Sequence, residues 1–326
     1  MIRMYSLILG WTLCFAGAAG AADLRLASDI WPPYTDKAGH PSFATELVHE
    51  ALTRSGYQAR TTIMEFEAVI QGFGMGNHDG SAALWRDAER ENYLLFSNPY
   101  LENRLVLVGR KGDDVAAKSL ADLKGRKVGV VAGYSYGEAV ETENGPAFVE
   151  GVSDQENLSR LLAGQIEFML VDELLISHVL DHQPTEVGQY LEIGTTALIS
   201  RPLHFAVLKG YPGAETIVAK FNEAITGMIA DGSYNRILGL NWIRADVDGD
   251  GRLELVHGPG GAGSEPPSAG YLVGDAQADT SDASDDRFWI EGEMYESWDD
   301  VPEKYKYSGP GQVKEDPGMT LYQMEF

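Results

Sequence analysis

The sequence predicts an α/β protein with mostly parallel sheets, and three observations carry that expectation. Short apolar runs alternate with segments of helical spacing from Leu24 to Trp242, the order expected when helices cover a sheet of parallel strands. The clearest helical segment repeats its apolar residues at Ile217, Val218, Phe221, Ile225, Met228 and Ile229, close to a 3.6-residue period. Both patterns stop after Arg244, where the composition changes.

In chain order, Leu24–Ala27 reads as a first strand, and Phe43, Leu47, Val48 and Leu52 mark the apolar face of a helix. Strands are expected at Thr61–Met64, Gly80–Leu84, Leu105–Val108 and Val128–Val131, with a helix after Ser135. Phe168–Val171 reads as a strand leading into a helix at Glu173–Leu180, and Phe205–Leu208 as the last strand. Asp246–Leu255 is a compact acidic loop. Residues 258–286, rich in Gly, Pro, Ser, Ala and Asp, read as linker or disorder. Phe288–Tyr307 carries too much aromatic surface for a solvated tail and is expected to dock.

The ends and the charge bound the function. Arg3, the apolar stretch Leu7–Ala16 and Ala19-Gly20-Ala21 form a secretory signal with an A-x-A cleavage site. Residues 1–22 are therefore assigned to a signal peptide and the mature chain to the periplasm. Cys14 is the only cysteine and lies in that signal, which excludes disulfides and thiol chemistry from the mature chain. A net charge of −24 argues against nucleic acid, whose phosphates need Lys and Arg. The acidity is uneven, since residues 246–326 hold 19 Asp and Glu against 5 Lys and Arg.

Five segments, in order, carry a family resemblance. They are Trp31-Pro32-Pro33-Tyr34; Glu89-Arg90 followed by Phe96-Ser97-Asn98-Pro99-Tyr100; Ser119–Gly125 with Val128-Gly129-Val130; Leu162–Glu167 with Asp172; and Asp231-Gly232-Ser233-Tyr234. Together they resemble the family 3 periplasmic solute-binding proteins of amino-acid-type ABC importers. The resemblance implies a two-lobed, Venus-flytrap periplasmic-binding fold of type II with two hinge strands, closing on a ligand in its cleft. It places lobe one at 23–108 and 205–245 and lobe two at 109–204.

The resemblance also implies roles. Arg90 would grip a ligand carboxylate with its guanidinium fork, unless it is a surface arginine in a charged run. Asp172, at the end of an apolar strand, would take an ammonium, or else cap the following helix. Ser135 would offer its hydroxyl, or again an N-cap. Trp31, Tyr34, Trp85, Tyr134 and Tyr136 would wall the cleft, with core packing as the alternative for Trp31. Ala82-Ala83-Leu84-Trp85 replaces the hydroxyls usual before the arginine, and Asp87 a threonine, which points away from a plain α-amino acid.

Other chemistries are weighed against this. Gly133-Tyr134-Ser135-Tyr136-Gly137 matches the G-x-S-x-G nucleophile elbow, and Asp172 and His204 follow in the chain order of a hydrolase triad. His178 and His182 are four apart on one expected helix but lack an H-E-x-x-H pattern. Asp246, Asp248, Asp250, the Arg252 carbonyl and Glu254 resemble an EF-hand or FG-GAP calcium loop, with His257 where a bidentate glutamate would stand. A structural Ca²⁺ is expected there, completed by tail carboxylates such as Glu291, Glu293 or Asp299. Residues 246–257 form this loop segment and 258–326 an acidic, partly disordered tail. The expectation is a monomeric, non-enzymatic receptor, without other cofactors, that delivers a small amine- and carboxylate-bearing solute to an inner-membrane ABC permease. A ligand sensor without transport, or a serine hydrolase using Ser135, are the alternatives.

Overall fold

The computed structural model describes residues 23–40, 42–137, 145–182, 188–258, 266, 271–273 and 286–306. The first unit begins with β1 (Asp23–Ser28), α1 (Phe43–Arg54), β2 (Gln58–Ile63), α2 (Phe66–Met75) and β3 (Gly80–Trp85). β1 runs parallel to both β2 and β3. α1 buries Ala44, Leu47, Val48, Ala51 and Leu52, one stripe at helical spacing, against this sheet. After β4 (Leu94–Phe96) the chain enters β5 (Leu101–Arg110) and crosses to the second unit.

That unit holds β6 (Lys127–Val131), β7 (Ala147–Gly151), α3 (Asp154–Leu162), β8 (Phe168–Asp172) and α4 (Glu173–His182). β6 lies parallel to β7 and to β8. The return strand β9 (Leu191–Leu208) is 18 residues long. It pairs antiparallel with β5 from Arg110–Leu191 to Leu101–Leu203. One end of this ribbon pairs with β3 through β9, and the other with β8 through β5. The two lobes are therefore joined by two continuous hinge strands, and each boundary is a span along a strand. The segments α5 (Ala214–Ala230) and α6 (Ser233–Leu238) complete lobe one.

The expected strands near residues 24, 80, 105, 128, 168 and 205 and the helices α1, α4 and α5 are present. Residues 135–137 are not helical, and the rest of the helix expected after Ser135 lies outside the described residues. α2 escaped a sequence reading because it carries glycines, which usually weaken helices. Gly72 is needed there: a Cβ would lie 2.1 Å from Cε1 of His78.

Beyond Arg244 the described residues form further structure, while most of the segment 258–286 expected as linker or disorder, and residues 307–326, lie outside the described residues. A second sheet joins β10 (Trp242–Ala245), β11 (Glu254–His257), β12 (Tyr271–Leu272), β13 (Arg287–Ile290) and β14 (Glu293–Tyr295), in the order β12-β10-β11-β13-β14. So the acidic loop ends in a strand, and the expected linker supplies β12. A short helix, α7 (Glu303–Lys306), follows. Trp242, Leu255, Phe288, Ile290, Val301 and Tyr305 form a small core of their own. Trp289 Nε1 donates to the Ala230 carbonyl at 3.1 Å and Tyr271 to the Glu102 carbonyl on β5 at 2.9 Å. The expected docking of the aromatic stretch thus occurs on lobe one through Trp289, while the hinge contact comes from Tyr271 of the expected linker; Tyr307 lies outside the described residues.

Candidate functional site

The strand ends bring the site together. β1 runs into Asp29 and a tight turn in which Trp31 and Thr35 exchange backbone hydrogen bonds. β3 ends at Trp85, followed by Asp87 and a short turn carrying Arg90. From lobe two, β6 leads into the loop Gly133–Tyr136, and β8 ends at Asp172. All these groups lie at carboxyl ends of parallel strands, where α/β sheets bind ligands.

Hydrogen bonds join the lobes across this cleft. Arg90 donates from Nη1 to the Trp85 carbonyl and from Nη2 to the Gly133 carbonyl, each at 2.9 Å. Its Nε lies 3.2 Å from the Asp87 carboxylate. All three guanidinium nitrogens thus have protein partners, one of them in the opposite lobe. Ser135 donates to Asp87, and Tyr134 donates to Asp29 at 2.6 Å. Tyr34 of lobe one donates to Asp172 at 2.8 Å. Asp172 also accepts from Asn103 Nδ2 at 3.0 Å, and Asn103 in turn accepts from the Trp85 indole at 2.8 Å.

Asp172 fills both roles expected of it: it faces the cleft and caps α4, accepting from the amides of Leu174 and Leu175. Burial raises its carboxyl to about 6, against the lowering effect of these donors. Asp29 is raised by burial too, partly offset by Tyr134. Asp87 is lowered, because its hydrogen bonds from the Arg90 and Glu89 amides and Ser135, with the Arg90 charge, outweigh its desolvation.

Trp31, Tyr34, Trp85 and Tyr136 all come to this cluster, joined by Tyr134. Trp85 lies 5.3 Å from Tyr134, 5.5 Å from Tyr136 and 5.5 Å from Trp31, ring centre to ring centre. The space left beside Arg90, Trp85 and Ser135 is only about 20 Å³, room for about one water, which needs ~10–15 Å³ by the same measure. Trp85 and Tyr134 account for much of this filling. Asp29 and Asn103 are the members that the sequence reading missed, whereas Tyr134 was expected only as part of the wall. Asp29 directly follows an apolar strand, the same signal that marked Asp172; Asn103 has no such signal.

The triad reading finds different partners. Ser135 is bonded to a carboxylate, Asp172 to Tyr34, Asn103 and helix amides, and His204 Nδ1 to the Ser97 carbonyl at 2.8 Å. The His178 and His182 pairing falls partly outside the described side chains.

The acidic loop shows another departure. Carboxylate oxygens of Asp246, Asp248 and Glu254 come within 4.8 Å of one another. However, Arg287, directly opposite Glu254 on β13, reaches Asp248 at 3.4 Å, Asp250 at 2.9 Å and Glu254. A guanidinium answers the charge crowding from which a cation was argued. Asp246 is taken up by the amides of Gly249 and Gly251, and the Arg252 amide bonds Asp250. The tail brings this arginine rather than acids: Glu291 accepts from Tyr305 and Glu293 from Tyr295. The donor set therefore fits a cation only if Arg287 withdraws.

The model of the bacterial extracellular solute-binding proteins, family 3, matches residues 24–243. The ABC transporter arginine-binding protein 1 of Escherichia coli (strain K12) is 25% identical over 231 residues, 68% of this chain and 91% of the relative. A probable amino-acid ABC transporter-binding protein of Haemophilus influenzae is 25% identical over 222 residues, 67% of this chain and 82% of the relative. An ancestral arginine-binding protein bound to arginine superposes with a TM-score of 0.58 at 25% identity, covering 68% of this chain and 98% of that one. The β10–β14 sheet lies almost wholly beyond the family match.

Proposed function

We infer that this chain, which belongs to the bacterial extracellular solute-binding proteins of family 3, closes its lobes on a small amine-bearing solute in the periplasm and hands it to an ABC permease in the inner membrane. The family is one of solute-binding receptors, and among the described residues no helix is long and apolar enough to cross a membrane. The observation that carries the reading is the convergence, from both lobes, of Asp29, Asp172 and Arg90 on one aromatic cleft. Carboxylates on both sides suit an ammonium, and the relatives that resemble this chain are an amino-acid-binding and an arginine-binding protein of ABC transporters.

Arg90 gives the cleft its switch. A ligand carboxylate reaches the fork only by displacing the Gly133 carbonyl, so carboxylate binding and rearrangement of the lobes are coupled. Ser135, released from Asp87, is then free to donate to the same carboxylate. Calorimetric titration with the common amino acids tests this: a carboxylate-bearing ligand should bind, and Arg90→Ala should weaken it at least roughly 10- to 100-fold, the worth of one charge-assisted hydrogen bond. Unchanged affinity in that variant takes Arg90 out of the site.

A further inference from the structure

The matched family segment ends at residue 243, yet the sheet that lies almost wholly beyond it reaches the hinge through one side chain. β12 runs beside β10, with Ile243 opposite Tyr271 and Arg244 opposite Leu272. The Val273 amide donates to the Arg244 carbonyl at 2.9 Å and fixes the strand just past Tyr271. The half-buried Tyr271 ring packs on the main core, and its hydroxyl donates to the Glu102 carbonyl on β5 at 2.9 Å. Opposite Glu102 in the β5–β9 ribbon stands Pro202, which has no N–H to donate. The appended sheet therefore brings a donor to the hinge where the facing residue of β9 offers none.

The next residue, Asn103, belongs to the cleft. Its Nδ2 donates to Asp172 of lobe two at 3.0 Å, and its Oδ1 accepts from the Trp85 indole at 2.8 Å. Tyr34 of lobe one donates to the other Asp172 oxygen at 2.8 Å. Tyr271 lies within electrostatic reach of this group: burial first, then the Asp172 charge, raises its hydroxyl, with Tyr34 among the neighbours that lower it. The hydroxyl thus keeps its proton and remains a donor through the range in which Asp172 ionises. The sheet that carries it is anchored on lobe one, by Trp289 on the Ala230 carbonyl at 3.1 Å and by Asn235 Nδ2 on the Val256 carbonyl, also at 3.1 Å. One O–H consequently ties a body seated on lobe one to the hinge residue that precedes the link between the lobes.

We propose that Tyr271 is a positioning residue for the ligand cleft: its hydroxyl holds the hinge at Glu102–Asn103, so that Asn103 keeps Asp172 against Tyr34 and the closed arrangement of the lobes is favoured. The proposal rests on the reading of the chain as a receptor that closes between its lobes. It goes further by giving a part in closure to a segment outside the matched family region. Tyr271 touches no ligand; it acts through Asn103. The net worth of one neutral hydrogen bond is roughly 2- to 12-fold in an equilibrium constant, and that is the expected bias towards closure.

Tyr271→Phe removes the hydroxyl and leaves the ring. Spin labels at Met75→Cys on lobe one and Ala121→Cys on lobe two, both exposed, report the separation of the lobes in a chain whose one cysteine, Cys14, is replaced by serine. Pulsed electron resonance, on the free protein and with each common amino acid, should show short and long distances in the parent. Tyr271→Phe should lower the short-to-long ratio roughly 2- to 12-fold. Carbon-13 titration of the Asp172 carboxyl is a readout that sheet stability alone does not move. In the parent this group is raised to about 6, against the lowering effect of Asn103; with Asn103 loosened, its midpoint should rise further. Tyr305→Phe is the control, because it removes a hydrogen bond to Glu291 within the same appended unit, and it should leave both readouts unchanged. An unchanged ratio or an unmoved Asp172 midpoint in Tyr271→Phe, or equal changes in Tyr305→Phe, overturns the proposal and leaves the receptor reading standing. A single lobe distance that no amino acid alters removes the closing receptor, and the proposal with it.

Discussion

Asp172→Asn isolates the electrostatic cost of the cleft. Asp172 is 3% exposed and its carboxyl is raised from 3.8 to about 6, burial being the main cause. A folded-state value above the unfolded one means that the folded protein binds this proton more tightly. The associated stability is fully present below about pH 3.8 and is lost as the pH rises through about 6. A shift of about two units corresponds to ~3 kcal/mol in total, of which roughly half is lost between pH 5 and pH 7.5. Asparagine cannot ionise, so this loss should vanish. The substitution has its own cost of about 1–2 kcal/mol at every pH, because a new amide would face the Asn103 Nδ2 donor that now meets Oδ2. Asp154 and Asp29 also titrate upward of their usual range, but they do so in both proteins. Removing the Asp172 charge lowers Asp154 as well and flattens the variant further. Urea denaturation from pH 5 to 7.5 should therefore give a parent curve that falls relative to the variant curve. Two parallel curves, separated by a constant offset, would refute the argument.

Two predictions concern the C-terminal sheet. Arg244 and Asp286 form a two-pronged ion pair at 2.7 and 2.8 Å, and both side chains are buried. Arg244→Ala strands a buried carboxylate and should cost about 3–5 kcal/mol, with faster proteolysis after residue 245; an unchanged cleavage rate would show that the sheet is held elsewhere. A structural calcium at Asp246–Glu254, as expected from the sequence, must displace Arg287, so Ca²⁺ should raise the melting temperature of Arg287→Ala more than that of the parent, and equal shifts in the two would remove the loop as a calcium site.

How much was legible beforehand follows the range of each interaction. α1 and α5 announce themselves because their buried stripes are local patterns. The strand ends were legible for the same reason, and Asp172 with them. The lobe contacts were not: Tyr134 meets Asp29 across 105 positions and Arg90 meets Gly133 across 43. The second of these uses a backbone carbonyl, which no residue type signals. In the tail, β12 is two residues long and pairs in parallel with β10, so neither length nor periodicity could reveal it. The acidic loop looked like a metal site because only its acids are contiguous, while their cation, Arg287, arrives from 33 to 39 positions away.

The departures noted before Arg90 gain a physical meaning in the closed cleft. Small hydroxyl residues would leave room and hydrogen-bonding capacity for an α-amino acid. Here Trp85 and Tyr134 occupy that room, and Asp87 and the Gly133 carbonyl take up the arginine. The groups that close the lobes are therefore largely the groups that would otherwise hold a ligand, and a solute entering the Arg90 pocket must replace contacts the protein already makes. Its net affinity is the difference between two sets of hydrogen bonds. Tyr271 ties the C-terminal sheet to the same machinery. Its hydroxyl bonds the Glu102 carbonyl on β5, one residue before Asn103, which holds Asp172. Any rearrangement of the hinge at Glu102–Asn103 is thus felt by both the cleft carboxylate and the appended sheet.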